Sequence, residues 1–361
     1  MTRVLFMING LGLGNSTRCH AVIGELARTG ATVEIVTSDN GLWFFSDKPE
    51  IARVTEIPSL RYGKKGGRIS IASTLAQAPK IMATLHQAGE IIAGCMEQFR
   101  PDVVVTDSNY AFGPARRLGV PVAALNNSDM VLHTVFARRD WPASVLPQFL
   151  AVECADYLFH RIKADLIISP RLNPADRLEG GKFRRVGPIV RRDCQPSEPQ
   201  DRPRRVAIML SGSVFGSPVS LDTAPEGITI DVVGRPPPEG RIVRDGICYH
   251  GKVRNSLDVM RAADLVIVNG GFSAVSEALM MRKPMVVIPI PNHAEQWANA
   301  QVITDMGIGF MATEAHLIEA VSEGLRRMPA LAAAYSTLPS QPNGAVEAAR
   351  LILELPERKR C

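Results

Sequence analysis

The sequence predicts an α/β protein built from two Rossmann-like domains, each an open parallel sheet with helices on both faces. Three observations predict it. The 361 residues exceed what one ordinary hydrophobic core holds. Continuous apolar runs alternate with segments whose apolar residues recur at helical spacing, the pattern of strands buried on both faces. That alternation stops at a polar, proline-bearing stretch and then begins again.

In chain order, residues 4–8 form the first apolar run, and a glycine-rich turn follows at residues 10–14. From residue 17 to 28, Cys19, Val22, Ile23, Leu26 and Ala27 fall at helical spacing, and Gly30 ends the segment. Residues 33–36 are a second strand. A loop and a helix precede the strand at 102–106, and PARRLGVPVAAL then reads as helix, glycine stop and strand. Residues 131–164 are mainly helical, interrupted by Pro142 and Pro147, and 166–169 is again a strand. The first domain is thus expected over residues 1–187, with residues 188–205 as linker because they carry PSEPQDRPRR. The second domain, 206–361, repeats the pattern. It has strands at 206–210, 229–233, 265–268 and 285–288, with helices at 255–263, 273–281 and 295–306. Its last helix is expected to pack back on the first domain. Two such sheets facing a central cleft would direct the carboxyl ends of their strands, and hence any ligand, into it.

Composition narrows the function. An apolar fraction of 46% with 21% charged residues describes a folded globular chain rather than a disordered one. The excess of 41 Lys and Arg over 36 Asp and Glu is too diffuse to argue for nucleic acid, yet suits anionic ligands or an anionic membrane surface. Cys19, Cys95, Cys154, Cys194, Cys248 and Cys361 are scattered without metal-type spacing and read as reduced thiols of a cytoplasmic protein. The opening apolar stretch is too short for a signal peptide, and no segment reaches bilayer-spanning length.

Three places can carry chemistry. NGLGLGNSTR, with Gly14 and Asn15, places glycines between a strand and a helix, where unpaired N–H groups suit an anion. SGSVFGS, with Ser213, occupies the equivalent place in the second domain. The third is the stretch 251–309. There Asn269, Gly270 and Gly271 end a strand and open a helix through Phe272 and Ser273, a terminus suited to a diphosphate. Glu277 lies about one turn further on, where a carboxylate can accept two ribose hydroxyl hydrogen bonds.

GGFSAVSEALMMRKPMVVIPIPNHAEQWANA resembles the donor signature of GT-B glycosyltransferases that use UDP-sugars. It is similar both to the UDP-glycosyltransferase superfamily and to the N-acetylglucosaminyltransferase that makes lipid II. The resemblance is strong over residues 250–310 and rests elsewhere on the order of elements. It implies transfer of a hexosyl or N-acetylhexosaminyl group from a UDP- or dTDP-sugar, with inversion. It implies no metal and no cofactor beyond the nucleotide sugar, since a helix terminus replaces the cation that would balance the leaving diphosphate. Glu277 would bind the ribose, and Gln296, with Glu295 beside it, the transferred sugar. Gly271, Phe272 and Ser273 would hold the diphosphate with Ser213 opposite, Val253 would lie where the base is read, and Asn299 belongs to the same signature.

The departures are as informative. Relatives carry a His in the first glycine-rich loop where this chain has Asn15, and another before Gly–Gly where it has Asn269. His20 reads as a packing or capping residue. The general base would then come from Asp129 or Asp107, each alternatively a turn or capping residue. The basic loop from Arg61 to Arg68 either contacts an anionic or lipid-linked acceptor or the inner face of a membrane, or is solvated. Other readings are a nucleotide-sugar hydrolase of the pseudaminic-acid type, suggested by GLGNSTRC, a UDP-sugar epimerase, and a non-catalytic nucleotide-sugar-binding partner.

Overall fold

The structure, a computed structural model, describes residues 1–59, 64–65, 68–69, 78–175, 180–196, 204–210, 221, 223–237 and 243–360. They form two compact units, one of residues 1–133, 150–192 and 342–361, the other of 134–149 and 193–341.

The first unit holds a parallel sheet of β1 (Arg3–Ile8), β2 (Thr32–Thr37), β3 (Arg53–Glu56), β6 (Val103–Asp107), β7 (Val122–Leu125), β8 (Leu166–Pro170) and β9 (Phe183–Val186). Its spatial order is β3-β2-β1-β6-β7-β8-β9. Two-residue strands β4 (Lys64–Lys65) and β5 (Arg68–Ile69) pair separately and antiparallel. Burial on both faces explains the apolar runs: every residue of β6, β7 and β8 is buried. Helix Leu13–Arg28 covers one face and helix Ala78–Phe99 the other.

The C-terminal helix Gly344–Arg360 belongs to this unit, where Ala345, Ala348 and Ile352 join Val4, Ile8 and Leu26 in one core. Its entry is fixed by backbone contact. A Cβ on Gly344 would lie 2.1 Å from the carbonyl oxygen of Gly187, so both segments need glycine to approach. Asn343 clamps the same place, donating to the Val190 carbonyl at 2.7 Å and accepting from its N–H at 3.3 Å. Residues 188–192, expected as linker, are therefore part of the first unit, with Ile189 and Val190 buried.

The second unit holds β10 (Arg205–Met209), β11 (Thr229–Val233), β12 (Val243–Arg244), β13 (Ile247–Gly251), β14 (Leu265–Val268), β15 (Met285–Val287) and β16 (Gly309–Met311). Their order is β12-β13-β11-β10-β14-β15-β16, parallel except for the edge strand β12. Residues 134–149 cluster with this unit although the sequence places them in the first domain. Arg138 pairs with Asp305 at 2.7 Å, and the Gln148 side-chain oxygen accepts the Ala294 N–H at 2.9 Å. No helix among the described residues is long and apolar enough to cross a membrane.

Candidate functional site

In the second sheet the chain winds outward in opposite senses from β10 and β14. The carboxyl ends of these neighbours mark the switch point where open α/β sheets bind ligands. The helix after β14, Phe272–Met280, starts there. Its N-cap, Gly271, has extended backbone (φ −63°, ψ 132°) and makes no side-chain cap bond. Most helices satisfy their first N–H groups with a Ser, Thr, Asp or Asn cap. Here the positive end of the helix has only Gly271 before it, and a Cβ built there would meet nothing within 4 Å.

The two glycines do different work. A Cβ on Gly270 would lie 2.3 Å from the Gln296 carbonyl oxygen, so its lack of a side chain lets the turn rest on the backbone of helix Ala294–Asp305. Asn299 donates to the Gly270 carbonyl at 2.8 Å, and Asn269 to the Ile288 carbonyl at 2.9 Å. Both asparagines thus hold the turn through backbone. Gly270→Ala is expected to overpack this contact and cost about 2 kcal/mol. Gly271→Ala should melt close to the parent and lose nucleotide affinity instead. Thermal unfolding and calorimetry of the pair check this, and equal melting points would remove the distinction.

Glu277 is 3% exposed and lies one turn beyond Ser273, itself buried. The thiol of Cys194 donates to the Glu277 carbonyl at 3.3 Å, a contact between residues 83 apart that no sequence signal announces. The Gln296 side-chain oxygen accepts the Ile290 N–H at 2.9 Å. With its oxygen engaged in this way, the amide keeps its NH2 as the donor end. Glu295 stands half-exposed in the first turn of the same helix. Val253 is half-buried just beyond β13, where Gly251 turns the chain at φ 62°. Ser213 and most of the Arg61–Arg68 loop lie outside the described residues.

In the first unit the switch lies between β1 and β6. Gly10 answers to packing, for a Cβ there would lie 1.7 Å from the Ser38 carbonyl oxygen. Gly12 caps the helix Leu13–Arg28 without a side-chain bond; Gly14 is exposed and Asn15 half-exposed in its first turn. His20 packs edge-on against Phe44 and Phe45 and bonds Glu50. Burial holds its pKa below the ordinary histidine value.

Neither candidate base stands free. Asp107 is fully buried in a two-bond pairing with Arg18, Nε to Oδ2 at 2.9 Å and Nη2 to Oδ1 at 2.8 Å, and the Cys19 thiol donates to Oδ2 at 3.3 Å. This makes Asp107 an anchor between β6 and helix Leu13–Arg28. Asp129 pairs with Arg185 at 2.8 Å and accepts the Ser169 hydroxyl at 2.7 Å. Burial pushes its pKa up from the carboxylate range, against the pull of Arg185 and Ser169. A proton-accepting role at either residue would require these partners to be displaced.

Two Rossmann-like α/β units of this topology form the GT-B fold. The chain belongs to the family described as Glycosyl transferase family 1, whose model matches residues 2–329. It is 28% identical over 355 residues to an uncharacterized glycosyltransferase of Methanosarcina acetivorans, covering 90% of this chain and 89% of the relative. It is 26% identical over 270 residues to a Shewanella baltica enzyme named UDP-N-acetylglucosamine--N-acetylmuramyl-(pentapeptide) pyrophosphoryl-undecaprenol N-acetylglucosamine transferase, covering 67% of this chain and 66% of that one. Two solved structures share the fold. MurG of Acinetobacter baumannii has a TM-score of 0.61 at 16% identity, covering 98% of this chain and 100% of that one. The calicheamicin glycosyltransferase CalG4 has a TM-score of 0.63 at 18% identity, covering 99% of each.

Proposed function

We propose that this glycosyltransferase takes its sugar from a UDP-sugar, or the dTDP equivalent, and transfers it with inversion and without a metal ion at the diphosphate. The observation that carries the reading is the open Gly271 terminus with Glu277 and Gln296 beside it. The helix end supplies N–H donors and a partial positive charge to the leaving diphosphate, the role a divalent cation plays elsewhere. Glu277 accepts the ribose hydroxyls, and Gln296 donates to the sugar. The relative named for a UDP-N-acetylglucosamine donor favours UDP, and a neighbour solved with thymidine diphosphate keeps dTDP as the second candidate.

A thermal-shift screen of UDP, dTDP and GDP tests this. At a hundredfold excess over Kd a ligand of the native state stabilises by about 2.7 kcal/mol. UDP or dTDP is expected to raise the melting temperature without added Mg2+ or Mn2+; a response to GDP alone, or only with the cation, would overturn the reading.

The acceptor side is assigned to the first unit, with an anionic or lipid-linked acceptor at a membrane face. An exposed surface there supports this. Leu158 and Ile162, 53% and 63% exposed, lie one turn apart on helix Ala155–Lys163 beside Arg161 and Lys163. Arg116 bonds the Lys163 carbonyl at 3.0 Å, bringing its neighbours Arg117 and exposed Leu118 to the same end. Apolar side chains ringed by cations suit an anionic interface. Binding to vesicles containing phosphatidylglycerol is expected to fall in an Ile162→Glu variant; equal binding by variant and parent would remove the membrane assignment.

A further inference from the structure

The sheet of the second unit carries a cluster that the transfer reading does not use. Strand β13 alternates: Ile247 and Tyr249 are buried in the core with Ile230 and Val232 of β11, so Cys248 and His250 point to the other face. Asp231 of β11 lies in register with Cys248 and on that same face. The carboxylate, thiol and imidazole ligand atoms all come within 4.8 Å of one another. His250 Nε2 lies 2.7 Å from Asp231 Oδ1, while Arg205 of β10 lies 3.2 Å from Oδ2. Asp231 is buried, Cys248 half-buried and His250 open to solvent, so the group is preformed by two strands and reachable from outside.

We propose that Asp231, Cys248 and His250 bind a divalent transition metal of the borderline-soft class, zinc above all, with solvent completing the coordination. A thiolate, an imidazole and a carboxylate form a donor set that zinc accepts, whereas magnesium and calcium select oxygen alone. Tetrahedral bonds of about 2.0–2.3 Å place ligand atoms roughly 3.3–3.7 Å apart. Binding therefore opens the His250–Asp231 contact by about half an ångström and draws the thiol inward. Thiolate and carboxylate together match the charge of the ion. Arg205 keeps the second carboxylate oxygen, orienting the ligand as outer-shell partners do, though its charge opposes the ion. The thiol proton leaves to solvent as the metal–sulfur bond forms, and His250 binds neutral, so affinity rises with pH.

The ion staples β11 to the end of β13, immediately before Gly251 and Val253. If Val253 contacts the base, as the donor reading holds, metal occupancy steadies that edge of the nucleotide site. The metal site itself stands apart from that reading.

Cobalt(II) titration of the full-length protein tests it. One equivalent is expected to produce the intense near-ultraviolet absorption of cobalt–thiolate bonding, displaced by zinc. Cys248→Ser should abolish the band, His250→Gln should weaken cobalt binding at least tenfold, and Cys154→Ser should leave it unchanged. Proton release on cobalt binding gives a second readout that does not depend on any variant folding. No band, or a band that survives in a folded Cys248→Ser protein, overturns the proposal. UDP binding is measured separately, so failure of the donor reading leaves this result intact.

Discussion

Asp107→Ala is expected to destabilise the first unit by about 3–5 kcal/mol, the largest effect of any single substitution considered. Asp107 has no solvent exposure and Arg18 has 5%, so removal of the carboxylate takes a buried counter-charge from the guanidinium. Such a pair adds little net stability when intact, because desolvation of both charges offsets their attraction; breaking it exposes the whole penalty on one side. At about 2–4 °C per kcal/mol for a domain of this size, the melting temperature should drop by roughly 10 °C. Replacing both residues, as Arg18→Met with Asp107→Leu, should recover much of the loss. A double-mutant cycle measures that coupling. Asp107→Ala melting within a degree or two of the parent would show that the pair does not anchor β6 to its helix.

Glu277→Ala is expected to weaken UDP binding about a hundredfold. Two hydrogen bonds from ribose hydroxyls to a carboxylate contribute roughly 3 kcal/mol together, since each bond to a charged group is stronger than a neutral one. Glu277→Gln should recover part of the affinity, because the amide keeps one acceptor oxygen and loses the charge. Calorimetry of UDP against each protein measures this. Melting of the unliganded variants separates lost contact from lost fold, which matters because the Glu277 carbonyl also receives Cys194 and Met281. Unchanged affinity in a folded Glu277→Ala protein would remove the central donor assignment.

Much of the fold was legible because its signals are local. Apolar runs buried on both faces located β1, β6, β8, β10, β11, β14 and β15 to within a residue or two, and glycine stops marked helix ends. Strand β13 escaped because only Ile247 and Tyr249 face the core, so it carries no continuous apolar run. Strand β16 has three residues, too few for a period. The helix Gly344–Arg360 was expected against the first domain, but nothing in its own residues shows the Gly187–Gly344 contact that sets its entry.

The candidate site divides along the same line. The positions of Gly270, Gly271 and Glu277 in the fold were legible because a strand end, a helix start and a residue one turn along are fixed by spacing within one segment. What only the folded chain decided are pairings between distant segments: Arg18 with Asp107, Asp129 with Arg185, Cys194 with Glu277, Asp231 with His250. An isolated aspartate after a strand looks the same whether it awaits a substrate proton or a buried arginine. The difference lies in burial and in a partner brought from elsewhere by the sheet order, and neither is a property of the residue's neighbours in sequence.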